Sequence, residues 1–302
     1  MLRDYIHLHF LVLIWGFTAI LGLLITIPAV EVVFYRTLIA AITIGVWIFI
    51  IKKRTSQPNY KSIIKILLTG LIIAGHWILF FWSAKVSNAS VCLAGLSTTT
   101  LWTSFIEPMI FKRKIKFYEV LLGLVIISGL YVIFRFEFNH QLGLIMGIGS
   151  ALLAALFSVI NGKFAKKHDP YHITFYEMLG ACIGTALFLP FYMSYFSENG
   201  QLQLGLDWND FSYLLILSLV CTVYAFSASV ELLKRITVFM SNLTINLEPV
   251  YGIILALLFF GEKEKMGSGF YLGTSIIVIA ILSYPLLNRV FRKKRSEVSA
   301  IK

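Results

Sequence analysis

The residues with chemical potential in this chain are charged and polar side chains set inside apolar runs. Glu107 and Glu248 each stand in such a run directly before a proline. A charge at bilayer depth costs a few kcal/mol, so it needs a partner or a water-filled cavity. Two readings follow for both acids: a polar lining or protonatable group on a solute path, or a helix-packing acid paired with a cation such as Arg36. Pro108 and Pro249 remove a backbone donor and predict helix bends. Arg36, in Phe34-Tyr35-Arg36, either snorkels to a surface or pairs with an acid. Glu177 occupies the corresponding place in Phe175-Tyr176-Glu177, so Arg36 and Glu177 are candidates for a gate or ion pair. His76, in Gly75-His76-Trp77, is either a packed histidine or a solute or proton contact. Trp15, Trp77 and Tyr251 offer ring faces for stacking. Ser97 to Thr100, with Thr99 among them, and Ser241, Asn242, Thr244 and Asn246 form polar stripes too rich for lipid. Asn242 and Asn246, four apart, share a helix face with Pro249.

Several chemistries are excluded by what the sequence lacks. The motifs G-x-x-x-x-G-K-[ST], H-E-x-x-H and G-x-S-x-G do not occur. Cys92, Cys182 and Cys221 fall in apolar stretches without metal or disulfide spacing. No catalytic residue, metal or cofactor is assigned.

The elements that must carry these side chains follow from composition. Of 302 residues, 58% are hydrophobic and 14% charged, against about a quarter charged in soluble domains. The chain needs lipid as its solvent. Ten apolar segments are predicted to span it, at 6–26, 31–51, 63–84, 89–111, 117–135, 142–162, 172–194, 212–232, 237–260 and 269–288. Transmembrane β-strands are shorter and alternate, so the predicted class is all-α.

Basic residues orient the segments. With a cytoplasmic N-terminus, 21 of the 26 Lys and Arg fall on inside segments and four outside, with Arg36 in a span. An even span number then puts both termini inside. The net charge of +11 is explained by these anchors rather than by nucleic acid.

The chain also repeats. Phe34-Tyr35 matches Phe175-Tyr176 at an offset of 141, Lys85 matches Lys234 at 149, and Leu122-Gly123 matches Leu272-Gly273 at 150. Five spans per half is odd, so the halves oppose each other. The predicted fold is an integral membrane protein of ten transmembrane helices in two inverted five-helix repeats, residues 1–138 and 139–302, the second with a basic tail. Inverted repeats recur in secondary transporters, with the solute site between halves near the midplane.

Several of these motifs occur together in a known family. Trp15-Gly16, Phe34-Tyr35-Arg36, then Leu247-Glu248-Pro249-Val250-Tyr251, Gly261-Glu262 and Leu272-Gly273 resemble, in order and spacing, the EamA branch of the drug/metabolite transporters. The first half departs from the pattern: Thr100 stands where Pro249 would match, and Arg113 where Glu262 would. Glu107-Pro108 is therefore read as not equivalent to Glu248-Pro249.

The resemblance implies a ten-helix carrier moving small polar or amphipathic solutes, amino acids among them, by alternating access. The expectation is a secondary active exporter in a bacterial inner membrane. Its expected partners are a small-molecule substrate and the lipid bilayer, with no nucleic acid; pairing of two copies stays open. A membrane-embedded enzyme would want acids and histidines gathered near one surface, and a receptor would want a soluble domain; neither pattern is present.

Overall fold

A computed structural model of the chain describes residues 2–51, 57–112, 114–115, 117–136, 138–197, 200–245 and 247–300. Among them the regular secondary structure is entirely helical. Seven helical stretches are long and apolar enough to cross a membrane: Leu2–Leu24, Ala29–Ile51, Tyr60–Val86, Ala89–Phe111, Gln141–Phe164, Pro170–Tyr195 and Trp208–Leu232. Shorter apolar helices cover Leu121–Ile133 and Ser268–Ala280. Leu187 and Leu258 are each 76% exposed, which suits a surface facing acyl chains.

In finer detail the first stretch is α1 (Leu2–Gly16) and α2 (Thr18–Leu24). Then come α3 (Ala29–Gly45), which runs on as a π-helical turn to Ile51, and α4 (Tyr60–Val86). The next stretch is α5 (Ala89–Leu96) and α6 (Thr99–Phe111), followed by α7 (Phe117–Phe136). The second half holds α8 (Gln141–Phe164), α9 (Pro170–Tyr195), α10 (Trp208–Ser218) and α11 (Ala225–Leu232), these last two joined by a π-helical turn. It ends with α12 (Val238–Ile245), α13 (Glu248–Phe260) and α14 (Ser268–Ala300).

Two of the predicted spans are each broken in two, at matching places. α5 and α12 are eight residues each and α6 and α13 thirteen each, every boundary offset by 149. α3 and α9 begin 141 apart, the offset that matches their sequences. In the first half the break lies at Ser97–Thr98, not at Pro108, where α6 continues to Phe111. The cause is local: the hydroxyls of Ser97, Thr98 and Thr99 donate to the carbonyls of Ala94, Gly95 and Leu96 at 2.6, 2.9 and 2.7 Å. These short loops of hydrogen bonding compete with the helical ladder. In the second half the break precedes Pro249, which sits in the first turn of α13, where its missing N–H costs nothing.

Packing crosses between the halves. α4 runs along α8 and α9, α3 along α9, and α7 along α14. Small residues allow this. Gly70 of α4 lies against the Glu177 carbonyl, and Gly180 of α9 against the Leu67 carbonyl, a reciprocal backbone contact. Gly147 of α8 meets Gly95 of α5, a close approach that two small residues permit.

One end of the bundle is tied shut between the halves. Asp210 accepts from the backbone N–H and the hydroxyl of Thr26 at 2.7 and 2.6 Å. Glu264 accepts from the N–H groups of Ala89 and Ser90, both at 2.9 Å, capping the start of α5. Within the first half Lys85 donates to the Ile25 carbonyl at 2.7 Å, and across the halves buried Glu31 accepts from Gln203 N–H at 3.3 Å.

Candidate functional site

A cavity lies inside the bundle, walled by both halves. Its lining includes Trp15, Thr18, Arg36, His76, Trp77 and Phe80 from the first half, with Leu96 and Thr99 at the α5–α6 break. The second half supplies Phe157, Ser158 and Asn161 of α8, Phe226 and Ser229 of α11, and Ser241, Asn242, Glu248 and Pro249 around the α12–α13 break. The broken helices matter here. A break lets short helical ends and polar side chains face a cavity inside an apolar bundle. Asn161, Leu233 and Ser241 extend the wall toward the end of the bundle where Lys163, Lys166, Lys167 and Lys234 lie. The Asp210–Thr26 and Glu264–α5 contacts tie the opposite end.

Arg36 is held on two sides. It is 2% exposed, its Nε donates to Thr222 Oγ1 at 2.7 Å, and its guanidinium carbon sits 3.7 Å from the Trp77 ring centroid. Stacking on indole suits a desolvated guanidinium and is worth about 2 kcal/mol. Thr222 lies in the π-helical turn between α10 and α11, and its hydroxyl also reaches the Leu217 carbonyl at 3.0 Å. Among the described residues, the terminal nitrogens of Arg36 have no hydrogen-bond partner, which leaves them for the cavity. Arg36 therefore does not snorkel to a surface. Glu248, 6% exposed in the first turn of α13, likewise has no described hydrogen-bond partner for its carboxylate. A guanidinium and a carboxyl group thus share one enclosed, aromatic-walled space.

Other polar groups of the wall are already committed. Trp15 Nε1 donates to the Cys221 carbonyl at 3.0 Å, and Asn242 Nδ2 donates to Thr103 Oγ1 at 2.9 Å. Asn161 Nδ2 donates to Glu177 Oε2 at 3.3 Å. The hydroxyls of Thr18, Thr99 and Ser229 bond local carbonyls at 2.7, 2.7 and 2.8 Å. His76 holds Ser150 through Nδ1.

Of the residues singled out from sequence, Trp15, Arg36, His76, Trp77, Thr99, Asn242, Glu248 and Pro249 come together here. Glu107, Pro108, Tyr251 and Glu177 do not line the cavity, nor do Ser97, Thr98, Thr100 and Thr244 of the polar stripes. Glu107 and Pro108 lie in the far part of α6, half-buried and buried respectively. Tyr251 packs against Gly16 of α1. Glu177 is fully buried behind Asn161. Arg36 and Glu177 are also not joined as an ion pair, because each is engaged elsewhere: Arg36 with Thr222 and Trp77, Glu177 with Asn161. Asn246 lies outside the described residues.

Sequence reading missed Phe80, Phe157, Asn161, Phe226 and Ser229. Phe157 and Asn161 are four apart on α8, a shared-face signal, but apolar helices offer many such pairs. Ser229 and Phe226 carried no signal that distinguishes them from packing residues.

Residues 5–135 and 141–284 each match the model described as the EamA-like transporter family. A relative from Haemophilus influenzae, called an uncharacterized transporter, is 22% identical over 293 residues, covering 89% of this chain and 90% of its own length. A second uncharacterized transporter, from Archaeoglobus fulgidus, is 27% identical over 161 residues, 53% of each chain. A solved crystal structure shares the fold with a TM-score of 0.68 at 14% identity, covering 95% of this chain and 99% of that one.

Proposed function

Because the chain belongs to the EamA-like transporter family, we propose that this membrane protein carries small zwitterionic solutes with an apolar body, amino acids and their relatives, through the cavity between its halves. One observation carries the reading: Arg36 and Glu248, a buried base and a buried acid, line the same cavity with no described hydrogen-bond partner for their terminal atoms. A solute carboxylate suits the guanidinium, which offers a planar pair of donors. A solute ammonium suits the Glu248 carboxylate. Trp15, Trp77, Phe80 and Phe226 supply an apolar wall for the rest of the molecule.

Counting α7, the α12–α13 pair and α14 as spans gives ten, in two halves of five. The shared offset of element boundaries and the two separate family matches support an inverted repeat over 1–138 and 139–302. The basic connections then mark the cytoplasmic side of a bacterial inner membrane, with both termini inside. On that orientation the cavity wall reaches toward the cytoplasm, and Asp210, Glu264 and Lys85 hold the outer end closed. Alternating access requires those contacts to break as the cytoplasmic end closes. Loading from the cytoplasm fits an exporter driven by an ion gradient, with no catalytic step.

The test is uptake and efflux in proteoliposomes against a panel of amino acids and toxic analogues, paired with growth resistance of expressing cells. Gradient-dependent flux of an apolar amino acid that Arg36→Ala abolishes is the expected result. Flux of uncharged or purely cationic solutes, with amino acids inert, refutes the reading.

A further inference from the structure

The polar wall of the cavity is sorted by hydrogen-bonding sense, and His76 decides part of that sorting. Its Nδ1 lies 3.0 Å from the Ser150 carbonyl oxygen and 2.7 Å from Ser150 Oγ. Ser150 Oγ in turn lies 3.0 Å from the His76 carbonyl oxygen. Ser150 is fully buried and His76 is 8% exposed. One proton arrangement satisfies all three contacts. A carbonyl oxygen only accepts, so Nδ1 must carry the hydrogen that points at Ser150 O. The serine hydroxyl then donates to the His76 carbonyl and offers a lone pair to the same Nδ1–H. The other neutral tautomer would set the Nδ1 lone pair against a carbonyl oxygen at 3.0 Å with no proton between them. Phe80 and Phe157 hold the ring in place, with centroids 6.2 and 5.4 Å away.

We propose that Ser150 locks His76 so that Nε2 faces the cavity as a hydrogen-bond acceptor, and that Nε2 receives an N–H of the solute's ammonium group. His76 is thereby a specificity-determining residue and Ser150 a positioning residue. Among the described groups of the wall, the uncommitted ones divide cleanly. Arg36 only donates. The Glu248 carboxylate, His76 Nε2 and the amide oxygens of Asn161 and Asn242 only accept. The hydroxyls of Ser158 and Ser241 can turn either way. A solute whose nitrogen bears hydrogens satisfies Glu248 and Nε2 together, whereas a quaternary nitrogen of equal charge leaves Nε2 unpaired. The cavity thus selects for N–H donors and not for positive charge alone. This inference rests on the reading of the cavity as a zwitterion site.

The experiment uses the full chain in liposomes and two probes, L-leucine and its N,N,N-trimethyl betaine, which share charges and side chain and differ in N–H. Nitrogen NMR of histidine-labelled protein, with the His76 signals assigned by difference from His76→Gln, is expected to show Nδ1 protonated and Nε2 bare. Wild type is expected to bind leucine at least about tenfold more tightly than the betaine. His76→Phe is expected to shrink that ratio to within about threefold, and His76→Gln, whose amide oxygen accepts, to keep part of it. If His76→Phe does not fold, His76→Gln and the NMR assignment still decide. A hydrogen on Nε2 in place of Nδ1 overturns the inference. Equal binding of both probes by wild type overturns it while leaving the zwitterion reading intact. Binding of neither overturns that reading and the inference with it.

Discussion

Replacing Glu248 by Gln tests the central assignment most sharply. The substitution keeps the shape and an acceptor oxygen at the start of α13 and removes one charge. Glu248 is 6% exposed and bonds no described protein group, so its attraction for a bound ammonium is little shared with protein donors or bulk water. A hydrogen bond to a charged partner contributes about 1.5–3 kcal/mol, and a neutral one about half that. Loss of direct charge attraction adds at most about 4 kcal/mol for charges about 4 Å apart near a protein surface. A net loss of about 2–4 kcal/mol is expected, which raises the Kd for leucine by about 30- to 1000-fold. The sign for a deaminated analogue is opposite. 4-Methylpentanoate has no ammonium, and removing the negative charge leaves Arg36 a better anion site, so its affinity should hold or rise. Binding is read by displacement of radiolabelled leucine from purified protein, and flux by proteoliposome uptake across a series of pH values. If Glu248 also carries a coupling proton, the pH dependence of flux disappears in Glu248→Gln. Unchanged leucine affinity with an unchanged pH profile, or equal weakening of both compounds, refutes the assignment.

Trp77→Leu removes the ring under the Arg36 guanidinium; it should weaken leucine binding by about 1–2 kcal/mol while the protein stays folded, as judged by its thermal transition. Asp210→Asn weakens the grip on Thr26, so in a cysteine-free background a cysteine placed at Thr18 should react faster with an impermeant thiol reagent added to intact cells; an unchanged rate removes Asp210 from the closure. Gly70→Val forces a side chain into the Glu177 carbonyl, so the thermal transition should fall by many degrees or the protein fail to accumulate; wild-type stability would mean that α4 and α9 do not meet there. A cysteine at Gln201, an exposed position, should be labelled from outside intact cells, and labelling only after lysis would reverse the proposed orientation.

Much of this protein was legible before any coordinates. Apolar runs too long for a soluble core placed the helices, because backbone groups in lipid have no partner but their own chain. The offsets of 141 and 149 in sequence reappear as offsets of helix boundaries, although the breaking residues differ, Ser97 to Thr99 in the first half and Pro249 in the second. The non-equivalence of Glu107-Pro108 and Glu248-Pro249 agrees with a break that lies at Ser97–Thr98 and, in the second half, beside Glu248. The family resemblance was equally visible, in motifs spread over both halves.

Tertiary structure decided which polar residues meet. Depth in the membrane can be read along one helix, but the facing partner depends on rotation and on how close two helices approach. Gly70 and Gly180 bring α4 and α9 together, and with them Arg36 turns inward over Trp77 while Glu177 is shut behind Asn161. Nothing in the sequence links Arg36 to Thr222, 186 positions away, or His76 to Ser150, 74 away. Those contacts are long-range and made one side chain at a time, so no periodicity signals them. They nevertheless determine which atoms of the cavity remain free to hold a solute.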